Sequence, residues 1–425
     1  MNPIFNEYRT MLNDFGVDLS QYDKDKLWID RMIIRGIGKN GEDKKICRLK
    51  VNDDLEYEYK FYKDVPSNEE LENYEETYQR MYETIAEREK ESIGVIKGSI
   101  EKYPECSLYC ATSMGKDSKL VEHLLKKVTT DFTVIFNNTT CDSADVYKEV
   151  KKRPEIIMVT PKDENGRNLS LYKMAETNGF ATRHHRWCCG IFKEGAIKDY
   201  LSDKKNIIEY LGMRNEESAT RADYEFEKTD DRFDETWHIF LPIRKWTELE
   251  VWLYTIHNNI PINIKYKKGY RRVGCHVICP YYTSSTWVLD KYWCPFQYNR
   301  FHEKLSKDFW DREISCRLNC TEKEYHTNWN GGIVRKEPTE EVIKEFMEYK
   351  GFENIELAKQ YFQKNCEDCG KKVYKKDEVA MNLKFFGRET NKFRCKKCFM
   401  KRFGWTKEQW DEQVARFKQT GCTLF

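Results

Sequence analysis

Cys106-Ser107-Leu108-Tyr109-Cys110-Ala111-Thr112-Ser113-Met114-Gly115-Lys116-Asp117-Ser118 is the stretch from which the rest of the chain is read. Its first seven residues are mostly apolar or small, a short run of the kind that forms a buried strand. Beyond it, Leu120, Val121, Leu124, Leu125 and Val128 recur at helical spacing, which predicts a helix with one apolar face. A glycine-containing turn between a strand and a helix N-terminus is a phosphate cradle, because backbone N–H groups point outward and the helix dipole favours an anion. Ser113 and Ser118 add hydroxyl donors, Lys116 adds a charge, and Asp117 is placed to cap the helix or to hold a metal-bound nucleotide. The Walker pattern is absent, so this is not an ordinary ATPase loop.

Outward from the loop the chain alternates between strand and helix patterns. Strands are predicted at Leu108–Thr112, Phe132–Asn137, Ile156–Thr160, Ile207–Met213 and Ile239–Ile243, with helices such as Ala144–Lys152 and Phe192–Leu201 between them. That rhythm predicts an α/β domain with a doubly wound, mostly parallel sheet and ligands beyond the strand C-terminal ends. Asn137-Asn138-Thr139-Thr140 follows the second strand and falls on that edge, either as ligand contacts or as a plain polar loop. Gly212, Arg214 and Arg221 follow the fourth strand; arginine's planar fork suits phosphate or sulfate oxygens.

The Ser-x-Gly-x-Asp-Ser loop resembles the PP-loop of ATP pyrophosphatases and phosphoadenosine phosphosulfate (PAPS) reductases. Met114 stands where that family usually has glycine, which predicts a loop that sits a little differently. Gly212-Met213-Arg214 with Glu217-Ser218 and Arg221 resembles the family's Gly-hydrophobic-Arg…Glu-Ser…Arg segment. Leu241-Pro242-Ile243-Arg244-Lys245-Trp246-Thr247 with Glu250-Val251-Trp252, and Asn259–Gly269 with Tyr270-Arg271-Arg272-Val273-Gly274-Cys275, resemble two further family segments. Together these cover Cys106 to Pro295, and the chain is identified as a member of this family. The resemblance implies the adenine nucleotide alpha-hydrolase-like (HUP) fold. It implies nucleotide binding by Ser113, Met114, Gly115, Lys116, Asp117, Ser118, Asn137, Gly212 and Arg214. Lys116, Asp117, Arg214 and Arg221 would carry catalysis, and the nucleotide would be ATP with Mg²⁺, or PAPS.

Sixteen cysteines without an export signal point to metal or sulfur chemistry more than to disulfides. Scattered Cys47, Cys106, Cys110 and Cys141 are expected to be small buried hydrophobes. His184-His185-Arg186-Trp187-Cys188-Cys189 with Lys193 resembles the Cys-Cys…Lys element of the family's iron–sulfur members, where a Cys-x-x-Cys pair completes a [4Fe–4S] site. Here the second pair, Cys275 and Cys279, has one extra residue between its members, and Cys294 follows. The expected ligands are Cys188, Cys189, Cys275 and Cys279, with Cys294 as substitute or redox thiol; zinc, or no metal, remains open. Cys316 and Cys320 receive no role.

Near the C-terminus, Cys366-Glu367-Asp368-Cys369 and Cys395-Lys396-Lys397-Cys398 form paired knuckles that predict a four-thiolate Zn²⁺ site. Around them lie Lys371, Lys372, Lys375, Lys376, Lys384, Arg388, Lys392, Arg394, Lys401 and Arg402, interleaved with Phe385, Phe386, Phe393 and Phe399. Such a module either contacts DNA or RNA or is a solvated basic face over an aromatic core. Cys422 lacks the Glu-Cys-Gly-hydrophobic-His context of true sulfonucleotide reductases and is expected to pack within the module.

Four regions are predicted: an N-terminal accessory region (1–102), the PP-loop domain (103–300), a helical extension (301–362) and the zinc module (363–425). In the first, Leu27–Ile37 and Ile46–Tyr62 read as strands joined by a turn at Gly38–Asp43, ahead of a helix from Tyr78 to about Lys102. In the third, Val342, Phe346, Phe352, Leu357 and Tyr361 are the packing positions. With 40% hydrophobic and 34% charged residues, no bilayer-length apolar run and no signal-peptide pattern, the chain is expected to be cytoplasmic. Its net charge of +2 says nothing about a polyanionic partner.

The expected function is ATP activation at the α-phosphate in support of sulfur transfer, similar to the family's DNA phosphorothioation member and to iron–sulfur tRNA thiolation enzymes. Its partners would be an adenine nucleotide, a DNA or RNA acceptor and a sulfur-donor protein such as a cysteine desulfurase or thioredoxin. Two readings compete with it: thiol-dependent reduction of PAPS or adenylyl sulfate, and a non-catalytic nucleotide- and nucleic-acid-binding protein.

Overall fold

The computed structural model describes residues 1–178, 181, 186–218, 221, 224–228, 236–276, 278–301, 340, 343–344, 347–348, 353–355, 364–373, 375–387, 390, 392–419, 422 and 424. His184, His185, Cys316, Cys320 and Arg388 lie outside the described residues, as do Val342, Phe346, Phe352, Leu357 and Tyr361. Residues 1–173 with 188–299 make one compact unit, and 174–187 with 300–425 a second.

The first unit contains two sheets. The N-terminal one is antiparallel with its strands in chain order: β1 (Asn2–Pro3), β2 (Trp28–Asp30), β3 (Ile33–Ile37), β4 (Asp43–Val51) and β5 (Tyr57–Phe61). Each of the two strands predicted here is broken by a turn. Arg31 and Met32 take positive φ (45° and 70°) and separate β2 from β3. Between β4 and β5, Asn52 Oδ1 accepts the N–H groups of Asp54 (3.0 Å) and Glu56 (2.9 Å), and Leu55 sits at φ 55°. Asparagine favours such turns by bonding its own backbone two residues on. The helical stretch begins earlier than predicted. Asn73 and Glu76 form a reciprocal capping box that starts α1 (Tyr74–Arg80), and α2 (Tyr82–Lys102) follows.

The second sheet holds β6 (Ser107–Thr112), β7 (Thr133–Asn137), β8 (Ile156–Val159), β9 (Ile207–Tyr210), β10 (Glu227–Lys228) and β11 (Trp237–Phe240). Its spatial order is β10-β11-β9-β6-β7-β8, and every neighbouring pair is parallel except β10–β11. Alternate side chains enter two different cores, as a period of two requires. Cys110, Val134, Phe136, Ile208, Tyr210 and Phe240 face one core, shared with Trp28, Tyr74 and Ile96 of the N-terminal region. Tyr109, Ile135, Ile207, Trp237 and Ile239 face the other. The chain runs from β6 outward through β7 and β8, then returns to place β9 on the opposite side of β6. The loops after β6 and β9 therefore flank the switch point of the sheet, where such folds bind ligands.

In the second unit the described helices are Lys376–Phe386, Lys396–Phe403 and Lys407–Gln419. Cys366 and Phe393 are joined by an isolated bridge, and Gly404 at φ 67° ends the middle helix with a left-handed residue.

Candidate active site

The loop after β6 is held by its own hydroxyls. Met114 N–H donates to Thr112 Oγ1 (3.1 Å), Ser113 N–H to Ser118 Oγ (3.3 Å), and Ser118 Oγ donates to the Gly115 carbonyl (3.1 Å). Ser118 thus organises the loop from within, while Ser113 is exposed. Met114 adopts φ 59°, the left-handed backbone that glycine takes without strain, and its side chain is buried in the main core. Helix α3 (Lys116–Lys126) starts with Gly115 as its N-cap and without a side-chain cap, so Asp117 does not cap the helix as the sequence allowed. The first-turn N–H groups have no earlier carbonyl to meet, which leaves the anion-favouring end of the helix at the sheet edge.

Asp117 instead receives two cations. Arg214 Nε lies 2.7 Å from its Oδ1 and Lys116 Nζ 2.9 Å from its Oδ2. Burial raises the Asp117 carboxyl, but Lys116 and Arg214 outweigh it and hold the group below the ordinary carboxylate range. Lys116 is buried, its ammonium 3.7 Å from Glu248 Oε1 and over the Trp252 and Tyr266 rings. Arg214 Nη1 also pairs with Glu216 (2.9 Å), and the Met1 amine with Glu248 (2.8 Å). Three cations and three carboxylates therefore interlock at the loop. Arg221 pairs with Glu217, whose carboxylate also accepts the Arg214 N–H (3.2 Å). Gly212 approaches the helix start so closely that a Cβ there would lie 2.8 Å from the Asp117 carbonyl carbon and 2.9 Å from Ser118 N. Sequence reasoning missed Tyr266, Glu216 and Glu248. Tyr266 lies inside a segment quoted only for its pattern, and neither acid carries a signal of its own.

At the end of β7, Asn137 Oδ1 is buried and has no hydrogen-bond partner, an arrangement that costs about 1–3 kcal/mol unless a ligand satisfies it. The other polar side chains of that loop are bonded within the protein. Asn138 Nδ2 donates to Thr160 (2.9 Å), Tyr147 Oη to Asn138 Oδ1 (2.8 Å), and Thr139 Oγ1 to Asp142 Oδ2 (2.6 Å). Cys141 is buried as expected, and it also anchors the next segment. His276 N–H donates to the Cys141 carbonyl (2.6 Å), and Cys141 Sγ lies 3.0 Å from the His276 carbonyl oxygen.

That anchor brings in the cysteines. The Cys188 thiol is pushed up by its hydrogen bond with Cys189 and by burial, with Cys275 and Cys279 adding to the shift. Burial pushes Cys275 up to about 12, against Lys193. Lys193 is held protonated chiefly by Cys275, against burial, with help from Cys189 and Cys279. Cys188, Cys189, Cys275, Cys279 and Lys193 thus act on one another electrostatically, while the four sulfurs close enough to hold a single ion are, among the described residues, those of the second unit. Burial and then Asp290 push the Cys294 thiol up, against Lys268 and Lys265. Lys193 lies on a six-residue π-helix, Gly190–Gly195, directly after the cysteine pair. A Cβ at Gly195 would lie 2.7 Å from the Gly190 carbonyl oxygen, so the wide turn needs that glycine.

The segment Tyr266–Cys275 connects the two halves of the site. Lys116 N–H donates to Tyr266 Oη (3.1 Å), and a Cβ on Gly115 would sit 3.9 Å from Val273 Cβ, two residues before Cys275.

In the second unit, Cys366, Cys369, Cys395 and Cys398 have their sulfurs within 4.8 Å of one another, a set able to hold one metal ion. Cys369 Sγ and Cys395 Sγ are 3.7 Å apart, close to the edge of about 3.8 Å of a tetrahedron with 2.3 Å metal–sulfur bonds. Burial opposes the Cys366 thiolate, but the backbone N–H groups of Cys395, Asp368 and Cys369 lower its pKa to about 7.

A phosphoadenosine phosphosulfate reductase domain matches residues 107–280. The adenosine 5'-phosphosulfate reductase of Halalkalibacterium halodurans is 30% identical over 192 residues, 44% of this chain and 79% of that one. The chain belongs to the PAPS reductase family. An uncharacterized protein of Methanocaldococcus jannaschii is 29% identical over 258 residues, 59% of this chain and 61% of its own length. A second M. jannaschii protein is matched over 40% of its length, so the chain spans less than two thirds of either archaeal relative. Among solved structures, the PAPS reductase of Candida auris, a phosphate complex, aligns with TM-score 0.35 at 18% identity, covering 45% of this chain and 94% of that one. Among the described residues, no helix is long and apolar enough to cross a membrane.

Proposed function

We propose that the protein binds ATP or a related adenylyl nucleotide at the PP-loop, acts at its α-phosphate and supports sulfur transfer to a nucleic acid. The observation that carries this reading is the Tyr266–Cys275 segment, whose tyrosine bonds the start of α3 while its cysteine joins the Lys193 group. Nucleotide and sulfur chemistry would then meet on one sheet edge. The start of α3 and the exposed Ser113 hydroxyl would take the phosphates, and Asn137 Oδ1 would accept from the adenine amino group. An acceptor oxygen attacks the α-phosphorus, the bond to the β-phosphate breaks, and pyrophosphate leaves. Arg214, with Arg221 at its rim, faces the charge that builds on it. A sulfur nucleophile then displaces AMP.

Cys188, Cys189, Cys275 and Cys279 fit an iron–sulfur cluster in chemistry, as four thiols beside Lys193. Such a cluster would supply sulfur or electrons when bound. The second-unit quartet fits Zn²⁺ in a structural role, since Cys366 and Cys395 are also part of the small core there with Val373, Val379 and Phe393.

A second reading, reduction of an adenylyl sulfate, is favoured by the relatives that bear that name. Cys422 weighs against it. That residue packs beside the small core of the second unit, and its N–H bonds the Phe417 carbonyl (2.9 Å), which does not suit a mobile nucleophile.

The test is product analysis with anaerobically purified protein. Pyrophosphate and AMP from ATP, abolished by Asp117→Ala, support the proposal. Sulfite from adenosine 5'-phosphosulfate or PAPS, without ATP cleavage, replaces it with the reductase reading.

A further inference from the structure

Residues 364–425 carry sixteen Lys and Arg against eight Asp and Glu, whereas the whole chain is only +2, so the positive charge is concentrated in this one module. Part of it is spent internally: Arg394 and Lys392 pair with Glu367, Lys396 with Asp411 and Lys418 with Asp377. Lys384, Lys401 and Arg402 are exposed, and none has an acidic partner among the described residues.

Beside these three cations lies aromatic surface that the core covers only in part. Phe393, Phe399 and Trp410 are buried, but Phe385 and Phe403 are each 37% exposed and Trp405 is half-buried. Their ring centroids are 5.3 Å (Phe385–Trp405), 5.4 Å (Phe385–Phe403) and 5.5 Å (Phe403–Trp405) apart, and Phe399 supports all three from beneath. A packed, pre-ordered set of partly exposed rings next to cations without an acidic partner, one of which (Lys384) also lies over the Phe417 ring, matches a strand of nucleic acid whose bases are free to stack. A duplex offers its phosphates but keeps its base faces inside the stack.

We propose that this surface binds single-stranded nucleic acid, with bases stacked on Phe385, Phe403 and Trp405 and phosphates on Lys384, Lys401 and Arg402. The inference rests on the reading that the acceptor is a nucleic acid, and it specifies an unpaired one.

The experiment is fluorescence anisotropy of a labelled oligothymidine or oligouridine with the full chain, in the absence of nucleotide and across a salt series. Phe403→Ala should weaken binding about 5- to 100-fold with the salt slope unchanged, and Phe403→Tyr should restore it. Lys401→Gln should lower the slope of log K against log salt by about 0.7. A duplex should bind more weakly than either single strand.

Equal affinity for duplex, or wild-type affinity in Phe403→Ala, overturns the proposal. If Phe403→Ala loses its cysteine-bound metal, Lys401→Gln decides, and an unchanged slope overturns the proposal. The two readings fail separately. Pyrophosphate release without oligonucleotide binding removes this surface and leaves the nucleotide chemistry; binding without nucleotide turnover does the reverse.

Discussion

Gly212→Ala tests whether the approach of the β9 loop to α3 sets the nucleotide site. A methyl group there would lie 2.8 Å from the Asp117 carbonyl carbon, 2.9 Å from Ser118 N and 3.0 Å from Asp117 O. All three are backbone atoms, so no side chain can swing aside; ordinary contact requires the helix start or the β9 loop to move by about 0.5–1 Å. Overpacking of this kind costs about 1–3 kcal/mol, and a displacement near 1 Å at a reacting centre costs up to about 100-fold in rate. Gly98→Ala is the matched control. It sits on the exposed side of α2 with nothing within 4 Å of a new Cβ, and there alanine should add about 0.5–1 kcal/mol. Urea unfolding of both variants, nucleotide turnover, and amide exchange at residues 116–119 form the assay. The expected result is lowered stability, faster exchange at the helix start and a large loss of turnover in Gly212→Ala only. Wild-type stability and turnover within about twofold of wild type in Gly212→Ala would refute the reasoning, because the backbone contact would then not be holding the loop.

Three further outcomes follow from the same geometry. Asp117→Asn leaves Lys116 and Arg214 without their shared carboxylate and should cost about 3–5 kcal/mol at pH 7. The folded pKa of Asp117 is lowered, so this stabilisation is complete above the unfolded value of about 3.9 and lost as pH falls through the folded one; a wild-type-to-variant gap that stays constant from pH 7 to pH 3 contradicts the pairing. Glu216→Gln keeps an acceptor but removes an exposed carboxylate that competes with phosphate for Arg214, and nucleotide affinity by calorimetry should rise about 2- to 5-fold; weaker binding would show that Glu216 orients the arginine instead. If the first-unit cysteines hold a metal as proposed, Cys275→Ser should lose it while Cys294→Ser keeps it, measured as metal per chain after anaerobic purification; the opposite pattern would place Cys294 among the ligands.

The parallel sheet was legible because each of its parallel strands is a short apolar run closed by a polar turn, and the helical patterns between the runs call for parallel pairing. The N-terminal strands were less so, because their breaks occur at Arg31, Met32 and Leu55, ordinary residues forced to positive φ with no glycine to mark them. Met114 is a similar case. A methionine in a left-handed turn gives no turn signal, yet its buried side chain offsets the strain, since burying such a side chain contributes about 1.5–3 kcal/mol against roughly 1–2 for the backbone. Cys294 shows the limit of spacing. Its proximity in sequence to Cys279 said nothing of Asp290 and Lys268, which are its main electrostatic neighbours in the fold.

The charges at the loop constrain how a nucleotide can enter. Both Asp117 oxygens are already engaged by cations, and Lys116 is buried against two aromatic rings. A polyphosphate would have to bind by exchange, taking the place of a carboxylate rather than filling a bare positive pocket. Of the three carboxylates, Glu216 is the most exposed, at 53%, while Asp117 and Glu248 are each 17%. A carboxylate that can return to water costs less to release than one that would stay buried and unpaired, although Arg214 itself is buried in both pairs. On the proposed reading Glu216 would therefore be the carboxylate to yield, and Arg214 would turn its outer nitrogen to phosphate while its Nε keeps hold of Asp117. The same arginine would then report on nucleotide occupancy to the start of α3, and through Tyr266 to the segment that carries Cys275.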